Sequence, residues 1–385
     1  MNKLHHHRAQ FPALANKVYF NYGGQGPMAQ GAMDAITEAM KYIQDIGPFG
    51  NEAYRWISPQ MQASREAIAS LLNVPSDTIT LTGNVTVGCN IAMWGIEWQP
   101  GDHLLLSDCE HPGVIATAQE IARRFGIEVT TCPIMATLNE GDPVSIIADH
   151  LLPQTRLVVL SHVLWNTGQV LPIDKIAAVC RSNNSRLLID AAQSVGVLPL
   201  DLTALGVDFY AFTGHKWLCG PAGVGGLYVH PEARESLHPT YIGLNGITTN
   251  SQAQPTGWQA DGRRYEVSTL STPLYISLTQ AIAIHEQWGT AEERYQQILY
   301  NSEYLWQQLN SLPHVKCLKN SPPDSGLVSF QVTDQPSFKL VQSLEAQNIL
   351  TRTIANPNCI RVSVHYLTLA SEIDQLIAAI SNSLG

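Results

Sequence analysis

Short apolar runs alternate with stretches of helical period along the first half of the chain. DTITLTG (77–83) precedes NVTVGCNIAMWGI (84–96), DHLLLSD (102–108) precedes HPGVIATAQEIARRFG (111–126), and RLVVLSHV (156–163) precedes LPIDKIAAVCRSN (171–183). RLLIDA (186–191) then leads by a short loop into LGVDFYAFTG (205–214). Continuous apolar runs of this length read as strands buried on both faces, and the helical patterns between them as the crossovers that cover such strands. The pattern predicts an α/β fold around a central, mostly parallel sheet.

The pattern changes after residue 230. GLNGITTNSQAQPTGWQADGRR (243–264) is rich in Gly, Asn, Thr and Gln and reads as a long loop, of the kind that carries function or lies at an interface. A long helical pattern follows (275–312), then a strand candidate GLVSFQV (326–332), a helix PSFKLVQSLEAQN (336–348), a strand candidate CIRVSVH (359–365) and a last helix SEIDQLIAAISNS (371–383). Two units are expected: a large α/β unit over residues 16–260 and a smaller α+β unit over 261–385, with residues 1–15 packing against the smaller one.

Composition narrows the function. Hydrophobic residues make up 45% and charged residues 14%, which gives every segment apolar surface to bury. A net charge of -10 without any block of Lys or Arg argues against a nucleic-acid partner and for small-molecule ligands. No run reaches the ~18 apolar residues of a membrane span, and MNKLHHHRAQF lacks the apolar core of a signal peptide, so no membrane association and a cytoplasmic location are expected. His5, His6 and His7 read as part of a flexible polar terminus. The 7 cysteines (Cys89, Cys109, Cys132, Cys180, Cys219, Cys317, Cys359) are odd in number and form no C-x-x-C pair, so neither a disulfide framework nor a metal site is expected.

In an open α/β sheet ligands sit outside the carboxyl ends of the strands, so the residues just after each strand are the ones to inspect. After DTITL, the residues Gly83, Asn84, Val85 and Thr86 open a helix. Its free N–H groups and the Thr86 hydroxyl suit a phosphate, although an ordinary helix cap has the same look. His111 follows LLLSD, where a lone histidine also serves as a packing or capping residue. Asp190 ends a very apolar strand, a costly place for a carboxylate unless a cation or donor meets it, and Gln193 follows. Thr213, His215 and Lys216 follow DFYAF; a lysine there is either a surface residue or one held in a pocket for covalent chemistry. Together these are the parts that pyridoxal phosphate needs: an amine for its aldehyde, an anion for its pyridine nitrogen, a ring to stack on it and donors for its phosphate.

The strings RLLIDAAQSVGVLPLD (186–201) and DFYAFTGHKWLCGPAGVGGLYV (208–229) resemble the aminotransferase class V family, the group of cysteine desulfurases, selenocysteine lyases and isopenicillin N epimerase-like proteins. The resemblance runs from VYFNYGGQGP (18–27) to IRVSVHYLTLASEIDQL (360–376), and within the family it is strongest to carbon–sulfur lyases of cysteine and cystine. It implies the fold type I architecture of pyridoxal phosphate enzymes, with a seven-stranded, mostly parallel sheet, and a homodimer with shared active sites. Residue by residue, it implies Lys216 as the Schiff-base lysine, Asp190 at the pyridine nitrogen, Gln193 at the phenolic oxygen and His111 stacked on the ring. Val85, Thr86, Thr213 and His215 would hold the phosphate, joined by Thr269 from the neighbouring subunit. Arg361 would bind the substrate carboxylate, with Gly24 and Asn166 beside it.

Two departures decide between activities. SHVLWNTG (161–168) places Trp165 where desulfurases carry an asparagine, with Asn166 one position later. RTIANPNCIRVS (352–363) is shorter than the desulfurase loop and brings its only cysteine, Cys359, to within two residues of Arg361, which leaves it little reach as a nucleophile. The expected reaction is therefore β-elimination from L-cystine, and more weakly from L-cysteine, giving pyruvate, ammonia and persulfide or sulfide, with sulfur passed to an iron–sulfur or other acceptor protein. The alternatives are a cysteine desulfurase that releases alanine through Cys359, or a catalytically silent sulfur-carrier or scaffold partner.

Overall fold

The computed structural model describes residues 3–384. Seven strands build the large sheet: β1 (Ile79–Thr82), β2 (His103–Ser107), β3 (Glu128–Cys132), β4 (Thr155–Ser161), β5 (Arg186–Asp190), β6 (Phe209–Thr213) and β7 (Gly225–Val229). Their order is β1-β7-β6-β5-β4-β2-β3, and only β7 runs antiparallel to its neighbours. The sheet is thus mixed but mostly parallel, as expected for fold type I. Side chains alternate between two buried layers. Leu105, Val158, Leu187 and Ile189 face one core, completed by Ile68, Leu72 and Ile176 from helices Asn51–Leu72 and Ile173–Ser182. Leu104, Leu106, Val159 and Leu188 face the other, under helices Val85–Gly95 and Pro112–Phe125. β3 is absent from the sequence reading because it is an edge strand with an exposed, threonine-rich pattern, EVTTC, in place of an apolar run.

Four further strands, β8 (Val315–Cys317), β9 (Leu327–Val332), β10 (Arg352–Ile354) and β11 (Cys359–Ser363), form an antiparallel sheet in the order β8-β9-β11-β10. Val328, Phe330, Ile360 and Val362 bury one face beneath helices Ala291–Asn310, Ser337–Ala346 and Ala370–Leu384. The alternate residues Ser329 and Arg361, which pair in register, take the opposite face. Helix Thr272–Trp288 lies beyond residue 260, yet its Tyr275, Leu278 and Ile282 belong to the core of the large sheet.

The described chain is ordered from residue 3 onward. Lys3–Arg8 is a helix rather than a loose polar terminus, because His7 is buried against the Tyr366 hydroxyl (3.1 Å) and Arg8 donates to Leu367 O (2.5 Å) and pairs with Glu372. Val18–Tyr19 pairs in parallel with Ile349–Leu350, and Asn21 bridges to Ser363. Residues 243–264, expected to be one long loop, contain an exposed antiparallel pair, Ile247–Thr249 with Pro255–Trp258; the polar composition hides its strands. Among the described residues no helix is long and apolar enough to cross a membrane.

Candidate active site

β6 is buried along its whole length and delivers Lys216 past the carboxyl end of the sheet. The loop is held from two sides: Gly214 N–H donates to Val224 O (2.9 Å), and Gly26 N–H donates to His215 O (2.8 Å). A Cβ on Gly26 would stand 2.2 Å from Lys216 O, so only glycine lets these two backbones approach. The Lys216 amine is held down to about 8, chiefly by burial and also by Arg361 and Arg352, with Asp190 pulling the other way. A half-buried lysine with this basicity supplies free amine near neutral pH.

Asp190 is 6% exposed at the end of β5 and accepts from Ala192 N–H (2.9 Å). Burial raises its pKa, opposed by that hydrogen bond, by Lys216 and by His111. Gln193 donates to Gly23 O (2.9 Å) and accepts from Trp217 Nε1–H (2.8 Å), which fixes its orientation and leaves one amide N–H over. Thr213 Oγ1 and His215 Nδ1 lie 2.7 Å apart, and burial lowers the His215 pKa.

The helix Val85–Gly95 is capped by Asn84, whose side chain accepts from Val87 N–H (3.0 Å). No acceptor among the described residues meets the N–H groups of Val85 and Thr86, and Thr86 is exposed beside them, an arrangement suited to a phosphate. His111 caps the helix Pro112–Phe125 by accepting from Gly113 N–H (3.2 Å), and its exposed ring meets Trp165 edge-on at 6.1 Å. Burial lowers its pKa, against the charge of Asp190 and with those of Lys216 and Arg352. An amine of lowered basicity, a buried carboxylate, unmet helix N–H groups and an aromatic ring are the complement of pyridoxal phosphate, so these residues fit that group.

Arg361 is 2% exposed and donates through Nη1 to Trp165 O (2.7 Å); among the described residues its buried Nε has no partner and no carboxylate pairs with it. Burial lowers its pKa to about 10, and the neighbouring Arg352 lowers it further. A buried guanidinium in this state calls for an anion. Gly23, one residue before the expected Gly24, is the glycine that abuts it: a Cβ there would lie 3.1 Å from Arg361 Nη2 and 3.0 Å from Gln193 Oε1, whereas one on Gly24 would meet the Asn21 side chain. Asn166 donates to Asn356 O (3.3 Å) and its Oδ1 is buried and unpaired. Thr269 is exposed at the mouth of an apolar cleft with Gly83, Val87, Tyr241 and Val267. Cys359 is 0% exposed, and burial raises its thiol to about 11.

The sequence reading missed Gly23 and Arg352. Arg352 pairs in register with Arg361 across β10 and β11 and acts electrostatically on Lys216 and His111. The signal was present: RTIANPNCIR is short enough to be a hairpin, which sets its first and last residues opposite each other.

The chain was compared with known proteins. It matches the aminotransferase class-V family model over residues 30–376. Two solved structures of C-DES are each 52% identical to it. One is the complex of this cystine C–S lyase with its reaction product cysteine persulfide (TM-score 0.95, covering 97% of this chain and 99% of that one). The other is a lysine variant with glycine covalently linked to the PLP cofactor (TM-score 0.96, 98% and 99%). The cysteine desulfurase of Klebsiella pneumoniae (strain 342) is 28% identical over 405 residues, covering 97% of this chain and 96% of that protein. A probable cysteine desulfurase of Mycolicibacterium paratuberculosis (strain ATCC BAA-968 / K-10) is 28% identical over 379 residues, and the chain spans 54% of its length. With this match over most of its length, and a site that fits the cofactor, the chain belongs to the aminotransferase class-V family of pyridoxal phosphate enzymes.

Proposed function

We propose that this chain is a carbon–sulfur lyase that eliminates cysteine persulfide from L-cystine, leaving pyruvate and ammonia, with L-cysteine a poorer substrate. The observation that carries this reading is the cross-strand pair Arg352 and Arg361. Like charges directly opposite each other on adjacent strands repel unless an anion lies between or beyond them. Cystine carries two carboxylates, one for each guanidinium, and cysteine carries one. The C-DES structures, at 52% identity, support the same chemistry.

In this reading Arg361 grips the carboxylate of the half that reacts, and Lys216 takes the proton from its α-carbon. Asp190 holds a proton at the pyridine nitrogen, and the His111 ring covers the cofactor face. Bound pyridoxal phosphate supplies an electron sink for the charge left on the α-carbon. The sulfur leaves as a persulfide, a weaker base than a thiolate. Sulfur then passes to an acceptor protein, iron–sulfur assembly being one destination. The seven cysteines are all buried and free, which suits a reducing cytosol. Exposed Phe49, Tyr241, Ile242 and Leu244 support a homodimer in which a second copy covers this side of the molecule and brings its Thr269 to the phosphate.

Product analysis on the reconstituted enzyme tests this. Pyruvate and persulfide, formed faster from cystine, are expected; alanine would overturn the reading. Arg352→Gln is expected to raise KM for cystine about tenfold, the equivalent of 1.4 kcal/mol, with little change for cysteine, as steady-state kinetics with both substrates will show. Cys359→Ala is expected to leave turnover within about twofold, because the thiolate is the nucleophile and the fold holds this sulfur protonated and enclosed. A silent carrier would have no physical use for a lysine of lowered basicity beside a buried aspartate.

A further inference from the structure

Glu110 stands next to His111 in the chain, is 3% exposed, and has no part in the chemistry described above. Its Oε1 accepts from Ser107 Oγ–H (2.5 Å) and from Ser161 N–H (3.1 Å), and its Oε2 accepts from Ser161 Oγ–H (2.8 Å). Ser107 ends β2 and Ser161 ends β4, so one carboxylate ties two adjacent strand ends together just below the turn that presents His111. Ser161 is also the register partner of Asp190 on β5. Glu110 and Asp190 are therefore separated by the width of one strand at the carboxyl edge of the sheet.

Three donors converge on Glu110, and no cation forms an ion pair with it among the described residues. Its pKa is raised to about 7, chiefly by burial and also by Asp190, against the hydrogen bonds from Ser107 and Ser161, which lower it. The other ionisable groups that feel its charge are the thiols of Cys89, Cys109 and Cys132, all kept protonated by burial. A hydrogen-bonding tie alone needs no carboxylate, since an amide or a second hydroxyl would bridge the same serines at a smaller desolvation cost than a charged group. What the carboxylate adds is charge, one strand from the group that faces the cofactor's nitrogen.

We propose that Glu110 is a positioning residue with two effects: it fixes the His111 turn against the end of β4, and its negative charge raises the proton affinity of the cofactor site beside Asp190. This rests on the assignment of Asp190 and His111 to the cofactor. Because the folded pKa lies above the ordinary carboxylate value of 4.5, Glu110 favours folding while protonated, and that contribution is lost as pH rises through about 7. Above that pH the ionised carboxylate weakens the fold, the pattern of a group kept for function.

The test is a pH titration of the visible absorbance of the reconstituted holoenzyme, with no substrate present, so that its outcome is independent of the cystine reading. Glu110→Gln keeps an acceptor for Ser161 N–H and removes the charge. Its absorbance midpoint is expected to fall by about one pH unit, with a melting temperature at pH 8 equal to or above that of the parent. Ser161→Ala keeps the charge, removes one hydrogen bond, and is expected to leave the midpoint in place. An unmoved midpoint in Glu110→Gln, or an equal shift in Ser161→Ala, would reduce Glu110 to a structural tie and overturn the proposal.

Discussion

Replacing Lys216 by alanine is expected to lower kcat by about three to four orders of magnitude, with the folded state intact. In the proposed function the side chain would serve twice, as the amine that anchors the cofactor's aldehyde and as the base for the α-proton, and a positioned base alone is worth about 10²–10⁴-fold. The local physics favours both roles. Desolvation makes the charged form expensive, Asp190 offsets part of that cost, and the two arginines bring the balance to about 8. The rate at which apoenzyme takes up pyridoxal phosphate should therefore rise with pH toward a midpoint near 8, instead of the 10.5 of an ordinary lysine. Single-turnover kinetics with the Lys216→Ala variant and the pH dependence of cofactor uptake by the parent measure the two effects separately. A variant that keeps one-tenth of parental kcat would remove Lys216 from the chemistry.

Arg361→Lys is expected to lower kcat/KM for cystine by about 10²-fold or more, nearly as much as Arg361→Ala. Truncating one member of a buried, hydrogen-bonded charge pair costs roughly 2–5 kcal/mol. Lysine keeps the charge but lacks the planar fork, so it cannot bind a carboxylate through two parallel bonds or hold Trp165 O at the same time. The loss should fall mainly on KM, because the carboxylate is held alike before and during the reaction. Equal kinetics for parent and lysine variant would show that charge alone suffices.

The parallel strands at the centre of the large sheet were legible because burial on both faces leaves an unbroken apolar run, as in LLI before Asp190. The edge strand β3 and the hairpin at 247–258 were not, since solvent on one side removes the apolar signal. The last helices were legible by period, but the pattern over 275–312 was read undivided, whereas the structure breaks it at Gly289 into Thr272–Trp288 and Ala291–Asn310. Which core a helix joins is a matter of tertiary packing, and helix Thr272–Trp288 sides with the large sheet for reasons no local pattern carries. Lys216, Asp190, Thr213 and His215 stood out as candidates because strand ends are where an open α/β sheet places its ligands. Gly23 and Glu110 could not, because each matters through a neighbour distant in sequence, Gln193 and Arg361 for Gly23 and Ser161 for Glu110, whereas the short hairpin that sets Arg352 opposite Arg361 was there to be read.

The anchoring of the first residues has a consequence for how the molecule is made. His7 and Arg8 find their partners at Tyr366, Leu367 and Glu372, Val18–Tyr19 completes a ladder with Ile349–Leu350, and Asn21 with Ser363. A ribosome delivers these N-terminal segments first and their partners last. The large sheet, whose strands lie within residues 79–229, has all its members long before then. Folding during synthesis can complete the scaffold that holds Lys216 and Asp190, while Gly23, which borders Arg361, waits for residue 361 to emerge. Competence therefore arrives only once residues 349–372 have emerged, so in the proposed function a nascent chain stalled before residue 361 exposes a reactive lysine without the arginine that would select its substrate.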